Sequence, residues 1–204
     1  MKQIEAKNLQ VKELYELLTN IVFPRPIALV STLSEDGCSN LAPFSFFNVF
    51  SIHPPIIVFS PTRRSRDGSL KDTYHNLVST KECVVHVVPY NLREHITTAS
   101  FDFPKNVSEF EKAGLTPLDS IKVKPKRVQE SPIHMECSLE QMVPLGKEGG
   151  AGNLAICRVL LFHIDEKLLK KGSVHSSDLQ LIGRNGDSAY TKAFGEALFD
   201  LPKP

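Results

Sequence analysis

The chain has 204 residues, 41% hydrophobic and 23% charged, which suits one sizeable β-rich domain and does not demand a second. A net charge of +1 gives no electrostatic reason for a nucleic-acid or membrane-surface partner. The opening MKQIEAKNLQ lacks the apolar centre of a signal peptide and no apolar run could cross a bilayer, so a cytoplasmic protein is expected.

Val11, Leu14, Tyr15, Leu17, Leu18 and Ile21 follow helical spacing, predicting an amphipathic helix over about 9–21 that Pro24 and Pro26 stop. Ile27 to Leu33 is an apolar, β-branched strand. Ser34-Glu35-Asp36-Gly37 then carries a hairpin signal, because Asp-Gly supplies the positive φ of a tight turn. The next strand is expected from Ser39 past Phe47, with Pro43 marking it as bulged or at a sheet edge. His53-Pro54-Pro55 breaks the chain before a buried strand at Ile56 to Ser60. A polar loop, Pro61 to Gly68, leads to a helix with Ser69 as N-cap and Asp72 three residues on.

Strands are predicted at Glu82 to Val88, Pro132 to Val143 and Asn153 to Ile164, with short helices at Asn91 to Ser100 and Ser108 to Ala113. Beyond Gly172 the chain reads as loops and short turns. Without regular strand–helix alternation, the expected class is mainly β with attached helices: an antiparallel barrel over about 24–165, one domain over 1–204, and a C-terminal loop region over about 172–204.

Familiar catalytic and nucleotide motifs are missing: no G-x-G-x-x-G, Walker loop, G-x-S-x-G or H-E-x-x-H. The seven histidines show no metal spacing, so no metal is expected, and His86 reads as a hydrogen-bonded core or interface residue. Cys38, Cys83, Cys137 and Cys157 form no C-x-x-C pair and read as reduced, mostly buried small hydrophobes.

Three segments carry more chemistry. Asn40, Ala42, Pro43, Phe44, Ser45, Phe46 and Phe47 lie on a strand whose proline frees backbone groups that can meet the edge of a planar heteroaromatic ligand. An aromatic core strand with an edge bulge explains them equally well. Lys71, Asp72 and Thr73 open a helix, where free N–H groups and a partial positive charge suit phosphate; an ordinary capped surface helix is the plainer reading. Arg63, Arg64 and Arg66 just upstream could serve a small anion. Gly183-Arg184-Asn185-Gly186, followed by Tyr190, makes a loop able to approach a ligand closely, although most such segments are turns.

In order and spacing, PRPIALVSTLSEDGCSNLAPFSFFNVFS, PPIIVFS, KDTYHNL, EFEKAGLTP, IKVKPKRVQESPIHMEC and LIGRNGDSAY resemble the flavin reductase-like family over about Phe23 to Tyr190. That resemblance implies an FMN-binding split β-barrel, usually a homodimer with FMN near the subunit interface. It implies that Arg25, Pro26 and the Asn40–Phe47 stretch surround the isoalloxazine and ribityl chain. Ser60, Lys71, Asp72 and Thr73 would lie near the phosphate, and Arg184 and Tyr190 close to the site, from the same chain or a partner. The loop Thr62 to Gly68, with its three arginines, is longer than the family's usual link.

The function so implied is hydride transfer from NADH or NADPH to FMN, with an oxygenase or another electron acceptor downstream. An FMN electron carrier or flavin store without its own reductase activity stays open. So does a split-barrel module for another ligand such as haem.

Overall fold

The apolar run at residues 27–33 is explained by burial on both faces. In the computed structural model, which describes residues 1–104 and 107–202, strand β1 (Ala28–Leu33) alternates its side chains between two cores. Ala28 and Val30 pack with Phe44, Phe59, Val85 and Cys157, whereas Ile27 and Leu29 turn toward Leu92, Ile96, Phe110 and Val128.

The chain forms β1, β2 (Ser39–Phe44), β3 (Phe47–Ser51), β4 (Ile56–Phe59) and β5 (Glu82–His86). The short hairpin of β6 (Pro117–Leu118) and β7 (Arg127–Val128) follows. Then come the long partners β8 (Ile133–Pro144) and β9 (Asn153–Ile164), and two further hairpins, β10 (Leu169–Lys170) with β11 (Ser173–Val174) and β12 (Ile182–Arg184) with β13 (Tyr190–Lys192). Seven strands make one antiparallel sheet in the order β2-β1-β5-β8-β9-β4-β3.

That order forces the sheet's shape. β2 and β3 occupy opposite edges, yet only Ser45 and Phe46 join them. Laid flat, seven strands would separate the edges by roughly 29 Å, while the link from Phe44 to Phe47 spans at most about 11 Å. The sheet must curl until its first and last strands nearly meet. The mainly β fold with attached helices expected from sequence is the one found, a half-barrel of the split-barrel kind.

Two boundaries differ from expectation. The strand foreseen from Ser39 past Phe47 is two strands, because the chain changes sheet edge at Ser45–Phe46. Pro43 sits on the edge strand β2 opposite Leu29, where its missing donor leaves no ladder bond unmade. Helix α2 (Asp72–Thr80) is capped by Lys71, not by Ser69. Asp67 Oδ1 accepts from both the backbone N–H and the hydroxyl of Ser69, at 2.8 and 2.5 Å, and so draws Ser69 into the preceding loop.

The other helices lie where the periodicity placed them. Helix α1 (Val11–Ile21) starts at a capping box between Gln10 and Glu13, but only Thr19 is buried, so its apolar stripe faces outward. Short helices α3 (Arg93–Thr98) and α4 (Glu109–Lys112) cover the second core through Ile96 and Phe110. The Asp36-Gly37 turn is present, with Gly37 at φ +82°. The region beyond Gly172, expected as loops with short turns, also carries the paired strands β12 and β13, and its last two residues lie outside the described residues.

A row of imidazoles crosses the sheet, His86 beside His134 beside His163 on β5, β8 and β9. His86 is fully buried; the Val128 N–H donates to its Nε2, which leaves Nδ1–H to donate to the Leu29 carbonyl at 2.8 Å. Burial, reinforced by His134, lowers its pKa from 6.5 to about 3. His163 donates to the buried Glu136 carboxylate, which also accepts the backbone N–H groups of Ile121, Lys122 and Val123. Despite the opposing effect of burial, those bonds hold the Glu136 carboxyl below its usual range. The core histidine expected at position 86 is therefore the one observed.

Candidate functional site

The curl that brings β2 and β3 together leaves a seam, and a cavity of about 230 Å³ opens along it. Ser45 and Phe46 fall outside both ladders, and the Phe46 carbonyl accepts from the Ser60 N–H at 2.9 Å. Pro43, Phe44, Ser45 and Phe46 form one wall. Phe44 itself is buried, stacked at a tilt on Phe59 with ring centres 5.3 Å apart, so it fixes the wall to the core. The cavity has apolar ring surface along its length and short polar groups, Ser45, Ser60 and Thr62, around it.

One part of the cavity carries charge. Lys71, the N-cap of α2, lines it with its ammonium 5.6 Å from the Phe44 ring centre. Burial lowers its pKa, Asp102 works in the opposite direction, and the Arg64 charge lowers it further. The Asp102 carboxylate is engaged by Arg64 and Arg66, each at 3.2 Å, while Lys71 makes no ion pair among the described residues. A network beneath sets this helix end against the sheet. Asn40 Nδ2 donates to Thr73 Oγ1 at 3.0 Å, and Asn76 Nδ2 donates to Thr32 Oγ1 at 3.0 Å. Thr73 is buried, so its hydroxyl anchors the helix.

The C-terminal hairpin supplies the remaining side. Arg25 and Arg184 exchange backbone hydrogen bonds, at 2.9 and 2.8 Å, which hooks β12 onto the lead-in to β1. Gly183 permits the approach: a Cβ there would stand 2.8 Å from the Pro24 Cβ. Arg184 then stacks over Tyr190, its guanidinium carbon 4.5 Å from the ring centre, and hydrogen-bonds the phenol oxygen. Both side chains line the cavity from the same chain as the strand wall.

The residues singled out from sequence thus fall into groups. Pro43, Phe44, Ser45, Phe46, Ser60, Lys71, Arg184 and Tyr190 meet at the seam cavity. Asn40, Ala42, Asp72 and Thr73 line a smaller adjoining cavity that shares Lys71. Arg25, Pro26 and Phe47 line a separate apolar cavity. The Arg25 guanidinium donates to the carbonyls of Thr19, Val22 and Asn185, at 2.7, 2.7 and 2.6 Å. Of the upstream arginines, Arg63 donates to the Gly68 carbonyl, and Arg64 and Arg66 are held by carboxylates.

Tyr15, Thr62, Ile96 and Ser100 also line the seam cavity and were not singled out. Tyr15 belongs to the apolar stripe of α1, whose failure to enter the core is invisible in a periodicity. Ile96 and Ser100 arrive on α3 from a distant part of the chain, and no local pattern marks them.

The family model of the flavin reductase like domain matches residues 20–179. The chain belongs to the flavin reductase-like family. An uncharacterised protein of Aquifex aeolicus is 41% identical over 184 residues, covering 90% of this chain and 91% of the relative. Among solved structures, nitrilotriacetate monooxygenase component B from Bacillus cereus superposes with a TM-score of 0.91 at 37% identity, covering 98% of both chains. The 2-nitrobenzoate 2-nitroreductase of Pseudomonas fluorescens gives 0.86 at 28% identity, over 98% of this chain and 96% of that one. No helix among the described residues is long and apolar enough to cross a membrane.

Proposed function

We propose that this chain is an FMN-binding oxidoreductase of flavin reductase type, with all 204 residues forming one such domain. The observation that carries this reading is the seam cavity: apolar ring surface along one wall and, within it, a half-buried ammonium without a carboxylate partner among the described residues. That combination suits a planar aromatic ring joined to a phosphate monoester.

In this reading Lys71, at the amino end of α2, holds the phosphate together with the free N–H groups of the first turn, and Thr73 and Asn40 fix that turn in place. Phe44 and Phe46 give apolar contact to the ring system, and the backbone of Ser45–Phe46 offers hydrogen bonds to its polar edge. Arg184 and Tyr190 cover the opposite side and limit water access. Bound there, FMN would accept a hydride from NADH or NADPH and deliver electrons to an oxygenase or another acceptor. The likeness to a monooxygenase component and to a nitroreductase supports an electron-transfer role of this kind.

The same reading has the protein working as a cytoplasmic homodimer. The exposed apolar side chains of α1 (Val11, Leu18 and Ile21) and of the β3 edge (Val49 and Phe50) support a second copy packing there. The visible absorption spectrum of the purified protein, before and after anaerobic NADH, tests the reading. Flavin bands that bleach are expected; a colourless protein whose stability FMN leaves unmoved would sink it. Steady-state NADH oxidation with added flavin separates a reductase from a carrier or store.

A further inference from the structure

Two smaller cavities neighbour the seam cavity through shared lining residues. A narrow chamber of about 50 Å³ shares Lys71 and Ser100 with it. A third chamber of about 130 Å³ shares Asn40, Asp72 and Glu109 with the second and adds Asp36.

The charges around these cavities are of both signs. Around the narrow chamber stand two cations, Lys71 and Arg64, and three carboxylates, Asp72, Asp102 and Glu109. Arg64 is already neutralised, 3.5 Å from Asp72 and 3.2 Å from Asp102, and Asp102 also holds Arg66 at 3.2 Å. Lys71 is the cation left for a ligand. Glu109 accepts the Leu41 N–H at 3.2 Å, and its carboxyl is pushed up by burial and by the nearby Asp72 charge. A second anionic group entering past Lys71 would face carboxylates without a free cation to offset them.

We propose that these carboxylates restrict the site to a flavin ending in a single phosphate and turn away the dinucleotide, with Asp102 setting the limit by occupying Arg64 and Arg66. This rests on the flavin reading above and names which flavin that site accepts. A phosphate monoester needs only Lys71 and the first turn of α2. In this arrangement the diphosphate of FAD would carry its second phosphate and adenosine toward Asp72, Glu109 and Asp36, which line the cavities adjoining Lys71.

The experiment is a set of flavin-fluorescence titrations of the full chain with FMN, FAD and riboflavin, on the wild type, Asp102→Asn and Glu109→Gln. Asp102 is half exposed, so its amide replacement leaves the core intact, and Glu109→Gln keeps an acceptor for the Leu41 N–H. The wild type should bind FMN at least about tenfold tighter than FAD. Asp102→Asn should shrink that ratio several-fold by removing one carboxylate and leaving Arg64 and Arg66 one carboxylate partner each, Asp72 and Asp67, with riboflavin affinity unchanged. Equal affinity of the wild type for FMN and FAD, or an unaltered ratio in both variants, overturns the proposal. Failure of all three flavins to bind, riboflavin included, overturns the flavin reading and this proposal with it.

Discussion

Acid should unfold this protein partly through one buried ring. His86 is fixed in its neutral form by the Val128 N–H and the Leu29 carbonyl, and burial holds its pKa at about 3. In the unfolded chain the same imidazole titrates near 6.5. The unfolded state therefore takes up the proton first, and stability falls as the pH drops through 6.5, levelling off near pH 3. Between about pH 7 and about pH 4.5, at about 1.36 kcal/mol per pH unit below 6.5, His86 alone removes roughly 2.5 kcal/mol. His134, lowered chiefly by burial, acts in the same direction.

Urea unfolding followed by circular dichroism at the two pH values, for the wild type and His86→Gln, measures the effect. The glutamine amide can still donate to Leu29 and accept from Val128, but it does not titrate. The wild type should lose roughly 2.5 kcal/mol more than the variant over the interval. Carboxylates held low in the fold, Glu136 among them, titrate in both proteins and cancel. Equal losses would refute the reasoning.

Lys71→Met keeps an unbranched side chain beside Phe44 and removes the charge. FMN binding should weaken by about 1.5–3 kcal/mol, roughly 10- to 150-fold in Kd, with riboflavin unaffected; an unchanged FMN titration counts against the phosphate role. Gly183→Ala should cost about 1–3 kcal/mol by pressing a methyl against Pro24, and amide exchange in β12 and β13 should speed up while Val84 and Val85 stay protected. Asn76→Ala strips Thr32 of a buried donor and should lower the urea midpoint by an amount worth about 1–3 kcal/mol; a midpoint equal to that of the wild type would show the network to be idle.

Strand and helix positions were largely legible because their signals are local. Residues 153–164 are β-branched and apolar, and β9 occupies that span. Pro43 announced an edge. What sequence did not show was which edge came next: β2 and β3 read as one strand, since the switch at Ser45–Phe46 depends on how the whole sheet closes. The capping position was missed because Asp67 and helix α2 compete for Ser69, and the loop wins. The arginine cluster looked available to an anion, but Asp102, nearly forty residues away, occupies two of its members. Tyr15 was hidden in a stripe that promised burial and instead borders a cavity.

Arg25 ties the carbonyl end of α1 to the loop that follows β12. One guanidinium is thus a junction between segments that lie about 160 positions apart in the chain. The end of α1 and the loop after β12 are consequently interdependent parts of the frame beside the seam cavity. Trimming the tail back past Asn185 would strip Arg25 of a partner and loosen the leading helix, and with it Tyr15. A truncation or insertion that reaches into either segment is therefore felt at the other.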